Sequence, residues 1–248
     1  GDTKYVRTRL DATKYFQLPR SFVLSVHGEG GYIHPLKSDP APGVDAIRLT
    51  DRFFGPQMRG FDIRGIGPRV IRYLYASPTE LTEEVVGNDA IGGRAYYMGR
   101  VELEIPVSSN IRSLGLRPSA FIDVGSVFNI RKPDLVDIPG TCTRFDLSTT
   151  PTVNEGQTVR LTSDPAGFNN CTEVNAANDP ALGAFTYDPR SGIKEFFLGN
   201  TMSPRLSIGV GVNWQSPFGP LRIDIAKALL KQEGDETKFF SFNVGTQF

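Results

Sequence analysis

Arg59 stands in the run Met58-Arg59-Gly60-Phe61, within the stretch FFGPQMRGFDIRGIGPR that spans residues 53–69. A guanidinium presents a planar fork of N–H donors that meets a carboxylate two bonds at a time, as an ammonium cannot. The glycine beside it tolerates a positive φ or a close backbone approach, and Phe61 supplies an aromatic surface. The stretch also carries Arg64 and Arg69, three arginines in all that the sequence suggests are exposed, and it shows neither helical period nor strand alternation. Such a segment suits clamping by charge and hydrogen bonds rather than bond-making.

Other residue types that support covalent chemistry are sparse. The two histidines, His27 and His34, fall in no metal-ligand or hydrolase spacing, and Ser-x-x-Lys, Gly-x-Ser-x-Gly and His-Glu-x-x-His are all missing. No cofactor, metal site or enzymatic activity is expected, although a lumen-rim acid such as Glu29 keeps open the barrel-resident lipase or protease as an alternative. Cys142 and Cys171 lie in one long segment rich in Pro, Asn, Asp, Thr and Gly, which suggests a disulfide formed in an oxidising compartment. A zinc site would need more ligands, and no histidine is near. Asn170-Cys171-Thr172 matches a glycosylation sequon, a pattern common by chance and idle in a bacterium.

The elements that must hold these residues are strands. The chain has 248 residues, 39% of them hydrophobic, with 26 glycines, 18 prolines and a formal net charge of zero, a balance that gives no reason to expect nucleic acid as a partner. No run approaches the roughly 18 apolar residues of a membrane helix. Period-two alternation, by contrast, recurs seven times, at about 5–16, 22–32, 94–104, 116–128, 205–216, 221–229 and 240–248. In 205–216, Leu206, Ile208, Val210, Val212 and Trp214 share one face, and Arg205, Ser207, Gly209, Gly211 and Asn213 the other. Glu102 and Asp123 fall on the polar faces of their segments.

Most of these segments reach ten residues or more, close to the roughly 9–11 tilted residues of a bilayer-crossing strand. A soluble sandwich or lipocalin-like barrel alternates too, so the connections must decide. They run short (17–20), long (34–93), short (106–115), very long (129–203) and short (216–220), with eight residues, KQEGDETK, before the last segment. Short links on one side and longer ones on the other describe an antiparallel transmembrane β-barrel, with extracellular loops at about 34–93 and 129–203. Seven strands leave such a sheet open, so residues 1–248 are expected to be the C-terminal portion of one larger barrel domain.

At this point the sequence resembles the BamA family of outer-membrane β-barrel assembly factors. Besides MRGF, the segments IGGRAYYMGRVELEIP (91–106), RPSAFIDVGSVF (117–128), WQSPFGP (214–220) and the ending FNVGTQF (242–248) occur in the family's order. The resemblance implies a parent barrel of roughly 16 strands, located in the bacterial outer membrane. It further implies that the Arg59 loop folds back into the lumen, where Arg59 pairs with Glu102 and Asp123 while Phe61 packs beside the ion pair. The bland alternative is three ordinary solvated lumen charges. The family opens a seam at its last strand, here Phe240, Phe242, Val244, Gly245 and Phe248, to template client strands, and Gly245 would weaken that strand. Implied partners are unfolded outer-membrane clients, lipids, periplasmic POTRA domains of the same chain and accessory lipoproteins. TamA-like or two-partner-secretion transporters of the same superfamily form the alternative, and a passive porin a weaker one.

Overall fold

The computed structural model describes residues 3–144, 157–162, 166–178, 184–188, 192–216 and 219–244. Two compact units are present: residues 1–69, 90–133 and 198–248 form the first, and 70–89 with 134–197 the second.

The first unit is built on seven antiparallel strands, β1 (Tyr5–Gln17), β2 (Val23–Pro35), β5 (Ala95–Glu104), β6 (Leu116–Phe128), β12 (Arg205–Ser216), β13 (Gly219–Leu230) and β14 (Phe240–Val244), paired in that order. These are the seven alternating segments of the sequence, with ends shifted by a few residues. Residues 245–248, and with them Gly245 and Phe248, lie outside the described residues. Among the described residues β1 and β14 are the two edges of an open sheet.

Register explains how alternation becomes two chemically distinct faces. A single row crosses all seven strands through Phe16, Leu24, Leu103, Ala120, Val210, Ile225 and Phe240. A neighbouring row joins Val26, Val101, Ile122 and Ile208. Val101, Ile122, Ile208, Val210, Ile225 and Phe240 are all exposed, so this apolar face is covered by nothing among the described residues. An exposed apolar sheet face of this extent is what a lipid-facing wall requires. One residue along, the register puts Thr13, His27, Arg100, Asp123, Ser207 and Ala228 in one row on the other face.

The segment 36–68 packs on that second face. It contains a 3-10 turn at Leu49–Asp51 and contributes Ile47, Phe53, Met58, Phe61 and Ile66 to a buried cluster shared with Ile33, Tyr96, Met98 and Val127 of the sheet. Its base is tied by charge. Arg94 pairs with Asp39 at 2.6 Å and Asp45 at 2.8 Å, and Arg131 reaches Asp39 at 2.6 Å. The Arg131 bond, the backbone N–H of Ala46 and the Arg94 bond together hold the Asp39 carboxyl down at about 2.

The second unit gives the long connections sheet structure of their own. It carries β3 (Arg69–Ser77) and β4 (Glu80–Ala90), which join β11 (Ile193–Leu198) and β7 (Asp137–Ile138) in a four-stranded sheet. A smaller sheet combines β8 (Thr141–Arg144), β9 (Gln157–Arg160) and β10 (Thr186–Asp188). Apart from β3 and β4, which have 9 and 11 residues, these strands have two to six residues, too few for alternation to stand out from a turn-rich background. The disulfide Cys142–Cys171 ties β8 to the short helix α2 (Cys171–Ala176), over a cluster of Leu161, Val174 and Phe185. Asn170 caps α2 by accepting from the Glu173 N–H at 3.0 Å, while its Nδ2 donates to Glu173 Oε1 at 2.8 Å. The sequon asparagine is therefore used internally as a cap.

Candidate functional site

Of the three arginines in 53–69 only Arg64 is exposed; Arg59 is 7% and Arg69 1% accessible, against the sequence expectation. Arg59 forks onto Asp123 of β6, with Nε donating to Oδ2 at 2.8 Å and Nη2 to Oδ1 at 2.5 Å. Its backbone N–H reaches the same Oδ2 at 3.2 Å, and Nη1 donates to Glu102 Oε2 of β5 at 2.6 Å. Asp123 is fully buried, so the three bonds to it work where water does not compete, while Glu102 is partly accessible.

The ring beneath the guanidinium is Phe121, 3.5 Å from its centroid to Arg59 Cζ. Phe61, two residues on, lies in the buried cluster with Met58 and Ile66. Phe121 occupies that floor for a reason of register. It sits opposite both Glu102 and Gly209, and a Cβ on Gly209 would come within 2.6 Å of its ring. Gly60 is required on the other side: its φ is +84°, and an added Cβ would stand 3.0 Å from the Ser207 Cβ.

Two further arginines complete the charge balance. Arg222 of β13 donates to Glu102 Oε1 at 3.0 Å, to Asp224 at 2.9 Å and to Asn213 at 3.1 Å, and Ser119 donates to Glu102 Oε1 at 2.6 Å. Arg100 lies 3.7 Å from Asp123 and donates to the Gln57 carbonyl. Three guanidinium groups thus face the three carboxylates Glu102, Asp123 and Asp224. Sequence reasoning did not bring Arg100 and Arg222 into this network, because cross-strand register across four strands was not readable. Phe121 was missed for the same reason.

The loop is also joined to the turn before the last strand. Phe61 bridges Thr237, and the Asp62 N–H donates to the Glu236 carbonyl at 3.0 Å. Glu236 and Lys238 donate back to Gly65 at 2.9 Å and Gly60 at 3.1 Å. Arg69 caps the arrangement by donating to the carbonyls of Gly65, Arg64 and Gly234 at 2.7–3.0 Å. Beneath it, Arg205 and Asp235 form a fully buried pair, Nε to Oδ2 at 2.9 Å and Nη2 to Oδ1 at 3.2 Å. Residues 60–69 and 232–238 are therefore laced together by backbone bonds, and the latter lead directly into β14. Phe240, Phe242 and Val244 are exposed on that strand, whose far edge pairs with nothing among the described residues.

The sequence matches the Omp85 superfamily domain across residues 1–248. The chain belongs to the Omp85 superfamily. Members of this superfamily reside in the outer membrane of Gram-negative bacteria, which agrees with the uncovered apolar face. It is 27% identical over 249 residues to the outer membrane protein assembly factor BamA of Neorickettsia risticii, covering 100% of this chain and 23% of that protein. BamA of Neisseria meningitidis serogroup B is 23% identical over 252 residues, covering 99% of this chain and 24% of the relative. This Omp85 chain thus spans about a quarter of the curated relatives it matches. The crystal structure of Haemophilus ducreyi BamA lacking POTRA domains 1–3 shares the fold, with a TM-score of 0.53 and 22% identity over 96% of this chain and 34% of that one.

Two further cross-strand features were not legible beforehand. Asp11, His27 and Glu29 bring their ligand-type atoms within 4.8 Å of one another, although no metal spacing was recognised in the sequence. Arg9 donates to Glu29 at 2.7 Å beside them.

Proposed function

We propose that the intact protein inserts β-barrel proteins into the outer membrane, without covalent chemistry or nucleotide, drawing on the folding free energy of its clients. In this reading residues 1–248 form the C-terminal portion of its barrel domain, with 34–93 and 129–203 as extracellular loops. Met58, Arg59, Gly60 and Phe61 brace the lumen against Glu102 and Asp123, and the last strand offers its free edge to a client strand. Unpaired backbone N–H and C=O groups at a sheet edge are a template for another chain. Its partners are unfolded outer-membrane clients and lipids, with POTRA domains of the same chain and accessory lipoproteins on the periplasmic side.

The observation that carries the reading is the junction of the Arg59 loop with residues 232–238. A brace that ends on the turn feeding β14 can set the position of that strand. The test is depletion of the protein followed by quantification of several unrelated barrels in the outer membrane. A general fall, restored by the parent gene and not by Arg59→Ala, is expected. Loss of a single exported substrate with other barrels unchanged would point to a dedicated transporter and overturn the proposal.

A further inference from the structure

Asp11 and Thr13 of β1 stand directly opposite Glu29 and His27 of β2, so four polar side chains project from two adjacent rungs of one face. His27 Nε2 lies 3.7 Å from Asp11 Oδ2 and 3.9 Å from Glu29 Oε1. Those separations are too long for hydrogen bonds, yet the three atoms converge on a common point.

The surroundings orient each of them. His27 Nδ1 is 2.8 Å from Thr13 Oγ1; with Nδ1–H donating to that hydroxyl, the Nε2 lone pair faces the two carboxylates. Glu29, its side chain only 3% accessible, has Oε2 held by Arg9 at 2.7 Å and by the Tyr96 hydroxyl at 3.2 Å. Its Oε1 is turned toward His27 and accepts no hydrogen bond among the described residues. Asp11 accepts no hydrogen bond among the described residues, and its side chain is half exposed and free to close inward. Arg100, opposite His27 on β5, is directed to Asp123 and the Gln57 carbonyl instead.

In the tautomer with the proton on Nδ1, three lone pairs face one another and a bound cation relieves their repulsion; in the other tautomer the Nε2–H points at the two acids instead. One neutral imidazole and two carboxylates, with the imidazole's second nitrogen fixed by a hydrogen bond, are the donor set and outer support of an open zinc-type site. We propose that Asp11, His27 and Glu29 bind one divalent transition ion of the zinc type, with its remaining position open to water. Tetrahedral coordination at roughly 2.0–2.2 Å brings donor atoms to about 3.4 Å of one another, so the exposed Asp11 side chain and the His27 ring must both close on Glu29 from their present 3.7 and 3.9 Å separations. The ion would cross-link β1, an edge of the described sheet, to β2. This inference is independent of the assembly reading.

The test uses the full-length, tag-free protein folded in detergent, titrated with zinc ion by calorimetry and with cobalt(II) by visible absorption. Expected are one zinc per chain and a cobalt ligand-field band that zinc displaces. His27→Ala and Asp11→Asn should abolish both, His34→Ala should leave both unchanged, and Thr13→Val, which keeps every ligand, should weaken zinc about tenfold or more. Retained heat-modifiable mobility on gels shows that each variant is folded. The proposal is overturned if the folded parent takes up no stoichiometric zinc, or if its affinity survives His27→Ala and Asp11→Asn.

Discussion

Replacing Arg59 with alanine deletes three charge-assisted bonds, at 2.5, 2.6 and 2.8 Å, together with the stacking on Phe121. The loss does not fall equally on the two acids. Glu102 keeps Arg222 at 3.0 Å and Ser119 at 2.6 Å, so it stays compensated. Asp123 is left buried with one backbone N–H and Arg100 at 3.7 Å. Breaking a buried pair by removing one partner costs about 3–5 kcal/mol, and partial compensation sets the expectation near 3 kcal/mol. That corresponds to roughly a hundredfold rise in loop opening. Hydrogen exchange at the amides of Phe61, Gly65 and Lys238 reads it directly, since these donate to Met58, Asp62 and Gly60. Arg59→Lys should recover only part of the protection, because an ammonium cannot span both acids. An Arg59→Ala/Asp123→Ala double-mutant cycle should give a coupling of about 2 kcal/mol or more. Exchange within about threefold of the parent, or coupling near zero, would show that the loop is held by its apolar cluster alone and refute the clamp.

Gly60→Val combines a forbidden φ with the 3.0 Å approach to Ser207, and should raise exchange at the same amides at least as much as Arg59→Lys does. Val210→Arg, on the apolar face, should cost about 2–4 kcal/mol in lipid-bilayer refolding, whereas no penalty would mean that this face does not meet hydrocarbon. Asp39, held at about 2 by Arg131, the Ala46 N–H and Arg94, has a folded value below its ordinary one of 3.8. Its contribution to anchoring the loop is therefore complete above pH 4 and lost as pH falls toward 2, a window that Asp39→Asn should flatten in amide exchange of Ala46. Reducing Cys142–Cys171 should release about 3–4 kcal/mol of constraint locally, exposing residues 141–188 to protease while the seven-stranded sheet keeps its mobility on gels.

How much of this was readable follows from what each signal depends on. All seven long strands were legible because a wall with lipid on one side and polar side chains on the other forces alternation into the chain, and ten or more residues of it outweigh chance. The strands of the second unit were not: most have two to six residues, too few to carry such an imprint, and β3 and β4 do not alternate cleanly over their 9 and 11 residues. Arg59, Glu102 and Asp123 could be picked out because charge type and face are local properties. Phe121, Arg100 and Arg222 could not, because their place in the network is set by register, which a one-residue slip would reverse.

Residue order alone determined an antiparallel β architecture, its two faces, the motif Met58 to Phe61 and the compartment in which Cys142 and Cys171 would oxidise. Tertiary structure alone decided that Arg59 stacks on Phe121, that residues 60–69 are laced to 232–238, and that Asp11, His27 and Glu29 converge. Alternation is written in neighbouring residues, whereas a contact between strands far apart in the chain depends on register and loop path, which only the assembled sheet fixes.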